Sequence, residues 1–133
     1  MTRISASEYV NAAGGAKPNK YGAKRTVVDG QTFDSRAEAR RWQELVMLRR
    51  ANKIGDLQRQ VRIPLMCHGG EVIGHYIPDF VYYELDELGR NVRKVTEDVK
   101  GGAATQTALF KWKAKHFAAQ YGYEITIIGG RKW

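Results

Sequence analysis

The chain is poor in cysteine, since Cys67 is the only one among its 133 residues. A single thiol excludes an intramolecular disulfide, and it also excludes a zinc site built from several thiolates. The adjacent His68 lies too close along the chain to complete such a site with Cys67. We therefore expect no zinc.

Long apolar runs are also missing. No segment approaches the roughly 18 consecutive apolar residues that a membrane-spanning helix requires. The first residues, MTRISASEYVNAAGG, lack the basic-then-apolar order of a secretion signal. We therefore expect a cytoplasmic protein with no membrane partner.

Acidic residues are scarce relative to basic ones: 14 aspartates and glutamates face 22 lysines and arginines, for a net charge of +8. An excess of this size in a short chain favours a polyanionic partner such as a nucleic acid. The alternative is a soluble protein that is merely basic. Charge by itself says nothing about catalysis.

The first 24 residues have few large apolar side chains, and they read as a flexible arm. Lys17, Lys20 and Lys24, followed by Arg25, make this arm basic, so it either lies along a phosphate backbone or forms a disordered tail. Residues 25–133 are long enough to form one folded domain.

The element pattern predicts an α/β fold. Asp29-Gly30 between two short β-type segments, 26–28 and 31–33, predicts a tight hairpin. A helix should start near Ser35, which forms a capping box with Glu38, and end near residues 51–52. Strands are predicted at 57–65, 72–83 and 91–100, followed by a helix over about 105–121 and a strand at 123–128. We place the side chains of Trp42, Trp112 and Phe117 in the core.

Two short strings carry the chemistry: Pro78-Asp79 in one predicted strand and Asp98-Val99-Lys100 at the end of the next. Alternation along a strand puts Asp98 and Lys100 on one face. The short connection between the strands predicts antiparallel neighbours, which brings Asp79 to the same edge. Taken singly, Asp79 could cap a bulge, and Asp98 with Lys100 could be an exposed ion pair.

Together these residues suit phosphodiester hydrolysis. Two carboxylates provide the hard oxygen ligands of Mg²⁺, which retains several waters and accepts phosphate oxygens. The metal activates a bound water and stabilises charge on the phosphoryl group. Lys100 would orient the attacking water, stabilise the transition state or act as a base.

Pro78-Asp79 followed by Asp98-Val99-Lys100 resembles the PD-(D/E)XK nuclease superfamily, which includes restriction enzymes, archaeal Holliday junction resolvases and TnsA-like endonucleases. More narrowly, Asn19-Lys20-Tyr21, Phe33-Asp34-Ser35 and Glu97-Asp98-Val99-Lys100-Gly101 are similar to a small phage-encoded family, over residues 19–128. The resemblance implies an αβββαβ core, with a mixed central sheet flanked by helices. It also implies a DNA endonuclease that uses Mg²⁺ or Mn²⁺ in phage DNA processing, recombination or junction resolution, in the cytoplasm of the host cell.

The resemblance also implies a third acid on the first helix, and Glu38 matches that position. The implied metal ligands are then Glu38, Asp79 and Asp98, with Lys100 as the catalytic cation. Glu38 could instead serve only the capping box. Glutamate is commoner than aspartate at the position of Asp98, but alternation turns the neighbouring Glu97 to the opposite face, so we favour Asp98.

Phosphate contacts are expected from basic side chains around the acidic residues. Gln60 and Gln106 are accessory candidates, and an ordinary structural role is the alternative for each. Cutting two strands needs a second active site, so a homodimer is expected. The rival hypothesis is a non-catalytic DNA-binding or regulatory protein.

The basic residues expected to contact DNA phosphates are Lys20, Lys24, Arg25, Arg36, Arg40, Arg41, Lys111, Lys113 and Lys115.

Overall fold

The computed structural model describes residues 25–28, 30–100 and 106–129. The predicted N-terminal arm, with Lys20 and Lys24, lies outside the described residues, as does Asp29 of the first turn. The elements in chain order are β1 (Thr26–Val28), β2 (Gln31–Phe33), α1 (Arg36–Arg50), β3 (Ile54–Arg59), β4 (Ile63–Met66), β5 (Val72–Tyr76), β6 (Phe80–Leu85), β7 (Asn91–Val99), α2 (Ala108–Tyr121) and β8 (Thr126–Ile128).

The ends of the elements follow the sequence signals closely. β1 and β2 form the predicted antiparallel hairpin. Ser35 caps α1, because its hydroxyl accepts a hydrogen bond from the backbone N–H of Glu38 at 3.1 Å. α2 is capped by Thr107 and ends at Gly122, whose φ of 84° is readily adopted only by glycine.

The central sheet has four strands in the order β3-β6-β7-β8. β6 runs antiparallel to both of its neighbours, whereas β8 runs parallel to β7 after the crossover through α2. β4 and β5 form a hairpin of their own. Without the two hairpins, the order is α1-β3-β6-β7-α2-β8, which is the expected αβββαβ order.

Two predicted strands were wrong, because each is two strands. The prediction of one strand over 57–65 fails at Gln60, whose φ of 54° turns the chain out of β3. The prediction of one strand over 72–83 fails at residues 77–79, where Pro78 has no N–H to offer to a neighbouring strand. The β4–β5 hairpin lies between these two breaks and therefore leaves the sheet.

The two helices cover opposite faces of the sheet. α1 packs on the face that carries Phe80, Tyr82 and Val95, whereas α2 packs against Ile125 and the hairpin residues Leu65 and Tyr76. The fold class is therefore confirmed: a mixed α/β domain with a mixed central sheet between helices. Within the described part of the chain, no helix has both the length and the apolar character needed to cross a membrane.

The helical core predictions were correct in two cases out of three. Trp42 of α1 and Phe117 of α2 are buried. Trp112 is not in the core, because 49% of its surface is exposed. It lies two residues beyond Phe110, which a turn of about 100° per residue places on the far side of α2 from the buried stripe.

Candidate active site

The candidate residues meet at one end of the central sheet, where β3 and β7 finish and β6 starts. Asp79 immediately precedes β6, and its backbone N–H donates to the carbonyl of Glu97 at 3.1 Å. The backbone N–H of Gln60, just beyond β3, donates to the carbonyl of Asp79 at 3.3 Å. The predicted antiparallel pairing therefore brings Asp79 beside the end of β7.

Asp79 and Asp98 form the centre of the cluster, where their carboxyl groups are close enough to repel each other when both are ionised. The backbone N–H of Val99 also donates to Asp79 Oδ2 at 2.8 Å, which fixes the Asp79 carboxyl. Burial raises the pKa of Asp79 from 3.8 to about 9, and repulsion from Asp98 and Glu38 adds to the effect. The pair is thus held close enough for one carboxyl to keep a proton near neutral pH.

Asp98 contacts two further polar groups. Lys100 Nζ lies 3.4 Å from Asp98 Oδ1, as the strand alternation predicts. The ammonium of Lys100 also lies 3.9 Å from the ring centroid of Phe110, in the first turn of α2. The hydroxyl of Tyr76 donates to Asp98 Oδ2. Burial and the nearby Asp98 raise the pKa of Tyr76, so this hydroxyl remains a donor.

Tyr76 was missed by the sequence reasoning. It lies at the end of β5, in a segment that was read as part of one long strand. Its burial at the centre of the α2 face is typical of a core aromatic residue. No sequence signal indicated that its hydroxyl reaches Asp98, because that contact depends on the hairpin leaving the sheet.

Glu38 reaches the cluster from the first turn of α1. Only 5% of its surface is exposed, and its nearest cation is Arg59, whose Nη2 lies 3.8 Å from Glu38 Oε1. Burial raises the pKa of Glu38 from 4.5 to about 7, helped by repulsion from Asp34 and Asp98 and opposed by Arg59. Its backbone N–H donates to the Ser35 hydroxyl, whereas its side chain points inward toward Arg59, so the helix cap leaves the carboxyl of Glu38 available to the cluster. Metal binding by Glu38 stays a prediction.

Glu97 is fully buried on the α1 face of the sheet, opposite Asp98, as expected. The guanidinium of Arg41 donates two hydrogen bonds to the Glu97 carboxylate, of 2.9 Å from Nε and 2.6 Å from Nη2. The hydroxyl of Tyr82 donates to the same carboxylate. The guanidinium of Arg41 thus pairs with Glu97 and Glu44, and a DNA contact by Arg41 stays a prediction.

The remaining candidates differ in their surroundings. Gln106 is buried just before α2, and its Nε2 has no hydrogen-bond partner among the described residues. Gln60 is exposed and contacts Asp79 only through the backbone bond described above. Lys113 Nζ donates to the carbonyl of His75 at 2.8 Å. The other described basic candidates are exposed or half-exposed: Arg25, Arg36, Arg40, Lys111 and Lys115.

The donor chemistry of the cluster fits a magnesium ion. Across residues 25–28, 30–100 and 106–129, no group of three or more His, Cys, Asp or Glu side chains forms a ready-made metal cage. Mg²⁺ does not need one, because it commonly takes one or two carboxylates and fills its other positions with water and substrate phosphate. Asp79 and Asp98 supply two such oxygen donors, whose mutual repulsion a cation would relieve.

The comparisons with known proteins identify the family of the chain. A family model described as "Protein of unknown function (DUF1064)" matches residues 18–129, which include every residue of the cluster. The chain belongs to this family. No curated protein and no solved structure matched the chain.

Proposed function

We propose that this DUF1064 member is a metal-dependent DNA endonuclease of the PD-(D/E)XK type. Asp79, Asp98 and Glu38 would hold Mg²⁺ or Mn²⁺, and Lys100 would be the catalytic cation. The observation that supports this most strongly is the pair of mutually repelling carboxyls, Asp79 and Asp98, with an ammonium 3.4 Å from Asp98. We also propose that the enzyme acts in the cytoplasm, in phage DNA processing, recombination or junction resolution, and that it acts as a homodimer.

Each residue of the cluster has a distinct task. When bound, the metal would lower the pKa of a coordinated water and offset charge on the phosphoryl oxygens. Asp79 is held by the Val99 amide and Asp98 by the Tyr76 hydroxyl, so both carboxylates are oriented in advance. Lys100, resting on the Phe110 ring, presents a positive charge where negative charge develops on phosphate.

The rival hypothesis is a DNA-binding protein that has the fold but no activity. The basic surface suits both hypotheses equally well. The buried acids favour the enzyme, because carboxylates facing a phosphate backbone weaken binding unless a metal bridges them. A protein that only binds DNA gains nothing from Asp79 and Asp98.

The test is cleavage of supercoiled, linear and branched DNA with Mg²⁺, with Mn²⁺ and with EDTA. Asp98→Asn and Lys100→Met should each lower the cleavage rate at least about a hundredfold, since each removes a group that acts on the reacting phosphate. Tyr76→Phe removes only the hydroxyl that orients Asp98, and we expect a loss of about tenfold.

The matched control is Asp56→Asn, which changes an exposed strand aspartate outside the cluster and should leave the rate unchanged. Circular dichroism and DNA affinity measured in EDTA would show that each variant is folded and still binds. Metal-dependent cleavage that survives both Asp98→Asn and Lys100→Met would refute the assignment. Binding without cleavage under every condition would support the rival hypothesis.

A further inference from the structure

Trp112 is exposed on the outer face of α2. About half of its surface, 49%, faces solvent, and Leu109 on the same side is 62% exposed. The indole is nevertheless held in place, because its ring lies against the ring of His116 with centroids 5.3 Å apart. The Nε2–H of His116 in turn donates to the carbonyl of Met66 in β4 at 2.8 Å. The ring is therefore an oriented aromatic surface.

The charge around this ring is entirely positive along the helix. α2 contains Lys111, Lys113 and Lys115 and no aspartate or glutamate over its 14 residues. Lys115 lies one turn after Trp112, at i+3, and Lys111 lies four residues before Lys115, so the two lysines form one row along the helix beside the indole. The first turn of the same helix carries Phe110, on which Lys100 rests. The helix that carries Trp112 on its outer side therefore contacts the candidate active site through its buried side.

An exposed aromatic ring with lysines beside it suits one ligand in particular, a nucleic-acid strand with unpaired bases. An unpaired base can stack on the indole while the lysines contact its phosphates, whereas bases inside a duplex have both faces already covered. A second copy of the chain is disfavoured as the occupant, because it would bring another positive helix to a protein whose net charge is already +8.

We propose that Trp112, with Lys111 and Lys115 beside it, is a stacking platform for an unpaired base of single-stranded DNA, on the outer side of the helix whose first turn contacts Lys100. This inference rests on the proposed nuclease function and narrows its substrate to DNA with unpaired bases, such as flaps, forks and branched molecules. The platform positions the strand and takes no part in the chemistry.

The test measures binding without cleavage. The full chain, in EDTA, is titrated into a labelled single strand of about 20 nucleotides and into the matching duplex, and fluorescence anisotropy gives both affinities. Trp112→Ala should weaken single-strand binding about tenfold and duplex binding less than about twofold, since stacking on an aromatic ring is available only to unpaired bases. Trp112→Phe should restore most of the loss.

The matched control is Leu109→Ala, which trims an equally exposed apolar side chain of the same helix and should leave both affinities unchanged. Equal losses on both DNAs, or no loss on either, would overturn the inference. So would dissociation of a dimer in Trp112→Ala, observed by sedimentation velocity, which would assign the face to a second copy. If the wild type never cleaves DNA but shows the Trp112 effect, the platform stands and the nuclease proposal fails.

Discussion

At the residue scale, the candidate site is built on acids that the fold holds too close together for ordinary ionisation. The carboxyl of Asp79 lies close to that of Asp98, and each accepts a hydrogen bond, from the Val99 amide and the Tyr76 hydroxyl respectively, that holds it in place. Folding therefore stabilises a proton on this group of acids, and a metal ion would compete with that proton. At alkaline pH, when the carboxyls are ionised, repulsion between them lowers the stability of the metal-free protein.

Stability of the metal-free protein should therefore fall as pH rises. Unfolded Asp79 ionises near 3.8, whereas folded Asp79 keeps its proton up to about 9, and Glu38 behaves likewise between 4.5 and about 7. Between these limits the folded state binds more protons than the unfolded state, so the free energy of unfolding decreases by up to about 1.4 kcal/mol per pH unit for each carboxyl. Urea denaturation in EDTA, at about pH 5, 7 and 9, measures this decrease in the free energy of unfolding.

Asp79→Asn is the control for this prediction, because an amide does not titrate. The variant should lose most of the decline in stability between about pH 5 and pH 9, leaving the smaller part due to Glu38 below about pH 7. Equal slopes for the wild type and Asp79→Asn would mean that Asp79 ionises normally in the folded protein.

The sequence was sufficient to predict which residues carry the chemistry, but not how they are held. Asp98 and Lys100 share a face because strand residues alternate, and that rule needs no tertiary information. The contact of Tyr76 with Asp98 joins two different sheets, and the burial that raises the pKa of Asp79 comes from packing. Neither the Tyr76 contact nor the burial of Asp79 can be predicted from the local sequence.

At the element scale, the position of Glu38 depends on how α1 is fixed to the sheet. Arg41, one turn after Glu38, forms a two-pronged ion pair with Glu97 of β7. The Glu97 side chain is 0% exposed and the Arg41 side chain is 18% exposed, so the pair is shielded from solvent. This contact ties the helix that carries one acid to the strand that carries Asp98.

Breaking this pair from the arginine side should be severe. Arg41→Ala leaves the Glu97 carboxylate buried without its cation, and we expect a loss of about 3 to 5 kcal/mol in the free energy of unfolding. Glu97→Gln should cost less, because the partly exposed Arg41 can still reach water. Urea denaturation measures both changes. The control is Arg93→Ala, which removes an exposed pair with Glu84 and should change stability little; equal effects of Arg41→Ala and Arg93→Ala would contradict the argument.

Elements were predicted well where a local signal marks their ends and poorly where a turn has none. Ser35 caps the start of α1 and Gly122 caps the end of α2, and each residue acts directly on the backbone of its own helix. Pro78 was a usable signal for the break between β5 and β6, but the β-branched and aromatic residues around it outweighed it. Gln60 gave no signal, because its left-handed backbone is set by the meeting of β3 with Asp79.

At the scale of the whole molecule, a strongly basic chain contains a compact group of acids. The net charge of +8 attracts a polyanion, whereas the acids at one end of the sheet repel it locally. Binding and cleavage are therefore separable: the distributed charge governs affinity, and the acidic end governs chemistry. The two can be distinguished by salt, because screening acts mainly on the exposed charges.

DNA affinity of the metal-free protein should fall steeply with salt. Each phosphate contact lowers the slope of log affinity against log salt by about 0.9, so two contacts already weaken binding about tenfold between roughly 50 and 200 mM NaCl. Removing an exposed contributor from a helix that adjoins the site, by Lys115→Gln in α2 or Arg36→Gln in α1, should make the slope shallower by about one. Lys53→Gln, an exposed lysine between α1 and β3 at the other end of the sheet, should leave it unchanged. Anisotropy titrations over a salt series measure all four proteins, and a slope that every variant shares with the wild type would show that neither Lys115 nor Arg36 contacts DNA phosphates.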